Sequence, residues 1–421
     1  LGKGHIVREI DALDGLMGRV IDRAGIQFRM LNASKGPAVR GPRAQADRML
    51  YKAAVRHLLN CTPGLEMRGE AVHDLVFNRE GAVTGVVTET GATYSAAAVV
   101  VTTGTFLRGL IHVGTSQIPA GRAGDARTVG LSYTFRRLGF QLGRLKTGTP
   151  PRLLSSSIKW GELQRADGDE HPVPFSMLTR RPFNPKNISC HIVDTNAVVH
   201  KLLADNLNES AMYSGNISGV GPRYCPSIED KIVKFSDRGK HQLFLEPEWH
   251  NSNQIYVNGF STSMPKHIQE RALRSISGLE DVQLIRPGYA IEYDYFPSSQ
   301  LKSTLETKMI NGLYFAGQMN GTSGYEEAAA QGLIAGANAG LKLLNKDRLI
   351  LGRDMAYIGV LIDDLITKYI NEPYRMFTSS AEYRLSLRAD NAAMRLTKNA
   401  CDLGLVKEGQ YTLFNTFNNS V

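Results

Sequence analysis

The chain has 421 residues, 42% of them hydrophobic, and its 49 Lys and Arg against 40 Asp and Glu give a formal charge of +9. That length exceeds what one hydrophobic core fills, about 250–300 residues, so two or three domains are expected. The longest apolar runs, such as AAAVVV at 96–101 and VLI at 360–362, fall far short of the roughly 20 residues of a membrane span.

Helical spacing at Ile6, Val7, Ile10, Leu13, Met17, Val20 and Ile21 predicts a helix over 5–22, and an opening on Leu1 rather than methionine reads as a fragment. IQFRML (26–31) predicts a strand and AQADRMLYKAAVRHLL (44–59) a second helix. From 71 the period changes to that of strands. AVHDLVF, a turn at Glu80–Gly81, AVTGVVTE, a turn near Gly91 and AAVVVTTG predict a three-stranded meander feeding a buried strand. Residues 115–188, rich in Gly, Pro, Ser and Arg, read as long loops around one helix at 128–138. A strand and helix at 191–207, strands HQLFLE and QIYVNGF, a helix at 266–277 and a strand at 282–285 follow. After GLYFAG, residues 354–421 read as mostly helical.

Two stretches carry chemistry. In GLYFAGQMNGTSGYEEAAAQG an apolar strand meets small residues just before a helix, a geometry that suits a flavin or its phosphates or, equally, a packing turn; VVVTTG at 99–104 would be the matching wall. No G-x-G-x-x-G occurs in the chain. In GVGPRYCPSIEDKIVKF, Ser227 and Asp230 predict a capping box, which puts Cys225 just ahead of a helix N-terminus, near Arg223 and Lys231. Such a thiol ionises more readily than a free one; the other reading is a half-buried turn cysteine. The four cysteines, Cys61, Cys190, Cys225 and Cys401, form no C-x-x-C pair, which speaks against a zinc site or a disulfide framework and for a reducing compartment. Further candidates are Glu229 and Asp230 as acid–base groups, His5 beside a flavin, and Arg122, Arg144, Lys146 and Arg152 as phosphate contacts. Arg375, Arg384, Arg388 and Arg395, interspersed with Tyr374, Phe377 and Tyr383, suit RNA or helix packing.

KGPAVRGPRAQADR (35–48), TTGTFLRG (102–109), GRLKTGTPPR (143–152), GPRYCPSIEDK (221–231), RPGYAIEYD (286–294), FAGQMNGTSGYEEAAAQG (315–332) and EPYRMFT (372–378) resemble the MnmG/GidA family. The resemblance runs from residue 2 to about 405. It implies an α/β, FAD-binding Rossmann-like flavoprotein fold with an inserted α/β domain and the start of a C-terminal helical domain. The expected division is 1–150 and 281–345 for the FAD-binding domain, 151–280 for the insertion and 346–421 for the helical region. The implied activity is FAD- and NADH-dependent modification of the tRNA wobble uridine with an MnmE-type GTPase, by a homodimer that forms a heterotetramer with that partner. The implied location is bacterial cytoplasm, or the mitochondrion in a eukaryote. By the same resemblance Val72, Thr128 and Gln318 contact FAD, and Gly221, Pro222, Arg223, Tyr224, Cys225, Pro226, Ser227, Ile228, Glu229, Asp230, Lys231, Ile232, Val233, Lys234 and Phe235 contact NAD, with Cys225 as catalytic nucleophile. No metal is expected. The family's glycine-rich phosphate loop and a further cysteine, which members carry ahead of the G-K-G-H stretch, are not in this chain. A folate- and FAD-dependent tRNA uracil methyltransferase and a non-catalytic RNA-binding flavoprotein are the rival readings.

Overall fold

The structure is a computed structural model and describes residues 2–222, 226–370 and 372–418; Arg223, Tyr224 and Cys225 lie outside the described residues. Val99–Val101 and Leu313–Phe315 pair in parallel, Leu313 opposite Val99, and helix Tyr325–Leu343 packs against both. Beside them the predicted meander forms from Val72–Phe77, Val83–Thr88 and Thr93–Ser95. A four-stranded antiparallel sheet runs in the order Ser116–Pro119, Leu110–Val113, Tyr289–Tyr295, Gly143–Thr149. A six-stranded sheet runs Gln164–Ala166, Cys190–Asp194, Gln242–Pro247, Gln254–Asn258, Arg152–Leu154, Leu284–Arg286. This is the mixed α/β, flavoprotein-type arrangement that the sequence implied.

Two large apolar clusters hold these layers together. In the first, Phe135, Phe296 and Phe315 meet edge-on or tilted with centroids 5.0–5.1 Å apart, joined by Ile6 and Ile10 from the start of the chain and Leu361 and Leu396 from near its end. The second draws its members from 153–282, with Leu245, Val257, Val199 and Ile268 seating helices Ala197–Asp205 and Lys266–Arg274 on the six-stranded sheet. Each such side chain contributes about 1.5–3 kcal/mol when fully buried.

The first cluster closes through one carboxylate. Glu9, fully buried in helix Lys3–Ala12, accepts from the backbone N–H of Tyr357 and Ile358 at 3.0 Å each and from Arg395 Nη2 at 3.0 Å. It thereby caps helix Tyr357–Thr367, whose own N-cap, Ala356, has no side chain able to do so.

Three local expectations change. The helix expected over 5–22 is two, Lys3–Ala12 and Met17–Ala24. The chain reverses at Asp14, in the left-handed region at φ 68°, and Gly15 N–H bonds back to Ile10 O at 2.8 Å, an approach that a Cβ on Gly15, 2.2 Å from Ile10 Cγ2, would block. The second helix starts at Arg48 rather than 44, because Gly41–Ala46 pairs with Gly25–Leu31 and Asp47 Oδ1 then accepts from Met49 and Leu50 N–H. The apolar spacing there suggests a core-facing helix, yet none of its 13 residues is buried. Finally, Gly143–Thr149, expected as loop, is a strand paired over seven positions with Tyr289–Tyr295. Pairing overrides its polar, glycine-containing composition.

Candidate active site

The parallel pair ends in two glycine turns placed side by side. Ala316 N–H reaches Val101 O at 3.0 Å, and beyond this bond one strand continues into Thr103 and Gly104 (φ 56°), the other into Gly317 (φ 86°) and Gln318. Gln318 is half-buried, and its Nε2 donates to the buried Tyr293 hydroxyl at 3.1 Å. Around a Cβ built on Gly104, only Gln318 Oε1 comes within 4 Å, at 3.9 Å, so open space lies over this turn.

Thr128 is stitched to the same turn by its backbone, its N–H to Phe106 O at 2.9 Å and its O from Arg108 N–H at 2.8 Å. Val72 opens the meander one residue before His73, whose carbonyl oxygen would lie 2.4 Å from a Cβ on Gly130. That close approach seats the start of helix Gly130–Arg137 on the start of the strand, and Asp74 fixes it through Thr134 Oγ1 and Arg137. Thr128 and Gln318 therefore both adjoin the Gly104 turn, and Val72 is tied to them at one remove, through the His73–Gly130 contact. The N-terminus of helix Tyr325–Leu343 does not join this turn as an open anion cradle. Lys3 pairs there with Glu326 at 2.5 Å and Glu327 at 3.2 Å, and Gly324 is a packing glycine, since a Cβ would sit 1.7 Å from the Glu327 carboxylate.

The 221–235 segment reaches a second region. Lys146, Thr147, Gly148, Pro222, Ser227, Ser261, Thr262, Ala290, Ser323 and Arg375 line a partly open cleft of about 80 Å³, room for waters or a phosphate-sized group. Pro222 and Ser227 are the described wall residues on either side of the 223–225 stretch. The expected capping box is present: Asp230 N–H donates to Ser227 Oγ at 3.1 Å and Ser227 N–H to Asp230 Oδ2 at 3.3 Å.

The rest of the segment divides by face. Ile228 and Ile232 enter the second core, whereas Val233 and Phe235 are exposed. Lys231 Nζ donates to Gly259 O at 2.7 Å, and Lys234 pairs with Asp230 at 3.0 Å. Glu229 is fully buried, and its Oε1 accepts from Ser210 Oγ, Thr262 Oγ1 and Ser263 N–H at 2.9–3.0 Å, which makes it an anchor for the cleft wall. Gly221 lies against Lys146, whose Cδ would be 3.3 Å from an added Cβ, and Pro226 is half-buried.

Strand Tyr289–Tyr295 supplies what sequence reasoning did not assign. Glu292 and Asp294, both nearly fully buried, share one face with period 2. Asp294 binds Arg144 at 3.0 Å and the Ser132 hydroxyl. Glu292 binds His112 Nε2 at 2.8 Å and, through its other oxygen, the backbone N–H groups of Ser218 and Gly219. Burial alone would raise the Glu292 pKa, but these hydrogen bonds and the charge of Arg144 outweigh it and hold the carboxyl at about 2. The signal was two carboxylates in the otherwise apolar YAIEYDY, visible within a motif already singled out.

Most other candidates find structural partners. Arg152 binds Glu248 at 3.1 Å and stacks over Tyr256, Arg144 serves Asp294, and Arg395 serves Glu9. Arg122 makes an exposed pair with Asp125, and Arg388 pairs with Asp390. Tyr374 donates to the buried Asp364 at 2.8 Å, while Phe377 borders a broader groove over 369–380 that also includes Arg375. His5 is buried edge-on to Tyr357, ring centroids 5.0 Å apart, and burial pushes its pKa down to about 4. Among the described residues no cluster of His, Cys, Asp and Glu could hold a metal ion, and no helix is long and apolar enough to cross a membrane.

The family described as "Glucose inhibited division protein A" matches residues 1–347 of this chain. The chain belongs to the GidA family. It is 54% identical over 415 residues to the tRNA uridine 5-carboxymethylaminomethyl modification enzyme MnmG of Thermodesulfovibrio yellowstonii, covering 99% of this chain and 66% of that protein. The enzyme of the same name from Geobacter sulfurreducens is 54% identical over 414 residues, again with 66% of its length covered. The chain thus spans just under two thirds of these relatives. Among solved structures, GidA of Aquifex aeolicus in its form I crystal superposes with a TM-score of 0.95 at 50% identity, covering all of this chain and 70% of that one. The form II crystal gives 0.94 at 49% identity, with 68% of its chain covered. These GidA matches do not favour the methyltransferase or the non-catalytic reading.

Proposed function

We propose that this GidA-family chain takes part in modifying the wobble uridine of tRNA, adding an aminomethyl or carboxymethylaminomethyl group to the pyrimidine ring with FAD and NADH. The observation that carries the reading is an open glycine turn at Gly104, with Gln318 facing it and Thr128 bonded beside it, together with a small cationic cleft that has Pro222 and Ser227 on either side of the stretch that holds Cys225. The open space over Gly104 and the polar edge of Gln318 fit one side of a flavin ring, and bound FAD would supply the redox step. Lys146 and Arg375 are assigned to one phosphate of NADH, with the remainder of 221–235 shaping the approach.

Cys225 is assigned as the nucleophile. A uracil ring carbon is a poor nucleophile until something adds to its neighbour; a thiolate adds there, forming a carbon–sulfur bond, the activated carbon then bonds a folate-derived one-carbon unit that also carries the amine from ammonia or glycine, and the thiolate leaves as the ring proton is lost. Residues 1–150 and 281–345 would form the flavin domain, 151–280 the insertion and 346–421 the start of a helical domain; the separate second core supports the insertion, while 346–406 shares the first core with the flavin domain. A homodimer, a GTPase partner of the MnmE type and a cytoplasmic location complete the proposal.

The test is mass spectrometry of tRNA nucleosides from a strain lacking the family member, complemented with the protein or with its Cys225→Ser form. The modified nucleoside should return with the first and not the second, with NADH-driven flavin reduction retained in both. Normal modification by Cys225→Ser would assign Cys225 to structure.

A further inference from the structure

We infer that Glu292, seated on His112, is a positioning residue: its carboxylate fixes the backbone of 218–222, and so the upstream wall of the small cationic cleft. The inference rests on the reading of that cleft as the reaction site.

The geometry is specific to the carboxylate. Glu292 Oε1 accepts from Gly219 N–H at 2.7 Å, Ser218 N–H at 2.9 Å and Ser218 Oγ at 3.2 Å. Two successive backbone N–H groups on one oxygen form a small anion-binding nest, here filled from within the protein. Oε2 is held by His112 Nε2 at 2.8 Å, and the fully buried imidazole prevents the carboxylate from swinging away. The next residue is tied by backbone: Lys146 N–H donates to Val220 O at 3.0 Å, and the following Gly221 rests on the Lys146 side chain. Downstream, Ile228 N–H donates to Ser261 O at 2.7 Å, and the capping box fixes Ser227.

The cleft walls at Pro222 and Ser227 are therefore set from two independent anchors. The downstream anchor is the ordinary start of a helix. The upstream one has no secondary structure to hold it beyond the single bridge Leu145↔Val220, and Glu292 supplies the rest. A buried, low-pKa carboxylate spent on two loop amides does little that an apolar side chain could not do for the sheet alone.

The test uses the whole chain with Glu292→Gln and Glu292→Asp. Hydrogen exchange is read on the peptide over 215–222 and on a control peptide from helix Tyr325–Leu343, and iodoacetamide alkylation of Cys225 is followed against pH by peptide mass spectrometry. In Glu292→Gln the exchange of 215–222 should speed up at least tenfold with the control unchanged, and the rate of Cys225 alkylation near pH 7 should change at least threefold while that of Cys61 stays the same. Glu292→Asp, whose carboxylate is one methylene short, should fall between parent and Gln, and it decides the matter if Gln prevents folding. Unchanged exchange over 215–222 overturns the inference. Faster exchange with unaltered Cys225 alkylation also overturns it, since that is what a merely structural Glu292 would give. Neither readout needs tRNA or NADH, so a failure here is separable from a failure of the proposed reaction.

Discussion

Replacing Glu9 by alanine should loosen the joint between the first helix and the helices near the end of the chain. The substitution removes three hydrogen bonds, uncaps helix Tyr357–Thr367 and deprives Arg395 of its carboxylate. Breaking a buried ion pair from one side costs about 3–5 kcal/mol. Arg395 retains bonds to Met355 O, Arg388 O and Asn391 Oδ1, so the lower end, about 3 kcal/mol, is expected. With an unfolding entropy of about 2.1 cal/mol/K per residue, that lowers Tm by roughly 3–4 °C if the chain melts as one unit. Urea unfolding followed by circular dichroism measures the loss, and hydrogen exchange at Tyr357 and Ile358 locates it. Glu9→Gln, which keeps one acceptor, should lose about 1–2 kcal/mol. A Glu9→Ala protein within about 1 kcal/mol of the parent would refute the reasoning that this carboxylate closes the first core.

Two groups on the first helix should give pH dependence of opposite sign. Burial holds His5 near pKa 4 in the folded state, so stability is lost as pH falls from about 6.5 toward 4, by about 3 kcal/mol; His5→Phe should remove that loss in urea titrations at pH 7 and 4.5. Burial likewise raises Asp11 to about 6, so its ionisation costs stability as pH rises from about 4 to 6; Asp11→Asn should remove that cost and leave the acid sensitivity of His5 exposed. If neither variant changes the pH slope, the assigned shifts are wrong. Gly130→Ala puts a methyl group 2.4 Å from the His73 carbonyl oxygen, and overpacking of this kind costs about 1–3 kcal/mol. If the proposed flavin site is right, it should also weaken FAD retention, because it disturbs the segments that carry Val72 and Thr128; flavin absorbance after gel filtration checks this, and full retention would remove those two residues from the proposed site.

The sequence was legible where one residue type admits one local solution. Ser227 and Asp230 signalled their capping box, and the alternation in 71–101 signalled the meander. The break at Asp14–Gly15 was missed because it depends on how Gly15 backs onto Ile10, a contact that apolar spacing does not encode. Gly143–Thr149 was missed because its strand character comes from a partner 140 to 152 residues away. For the site, Lys146 could be suspected from its glycine- and proline-rich surroundings, whereas Gln318 came from the family resemblance. The job of Glu292 could not, since it requires knowing that Ser218 and Gly219 fold back over the sheet.

The clasp on Glu9 also sets a timetable. Arg395 lies 386 positions after Glu9, and Thr397 Oγ1 bonds Ala12 O across 385. At about 5–20 residues per second of synthesis, roughly 20–80 s separate the appearance of the first helix from that of the residues which cover it. Through that interval Ile6, Ile10 and the Glu9 carboxylate have no native cover from the 392–402 helix. The six-stranded sheet, whose core comes entirely from 153–282, can complete itself meanwhile. The second core should therefore form first on the ribosome, and the older half of the chain should wait with apolar surface uncovered until its last helices arrive.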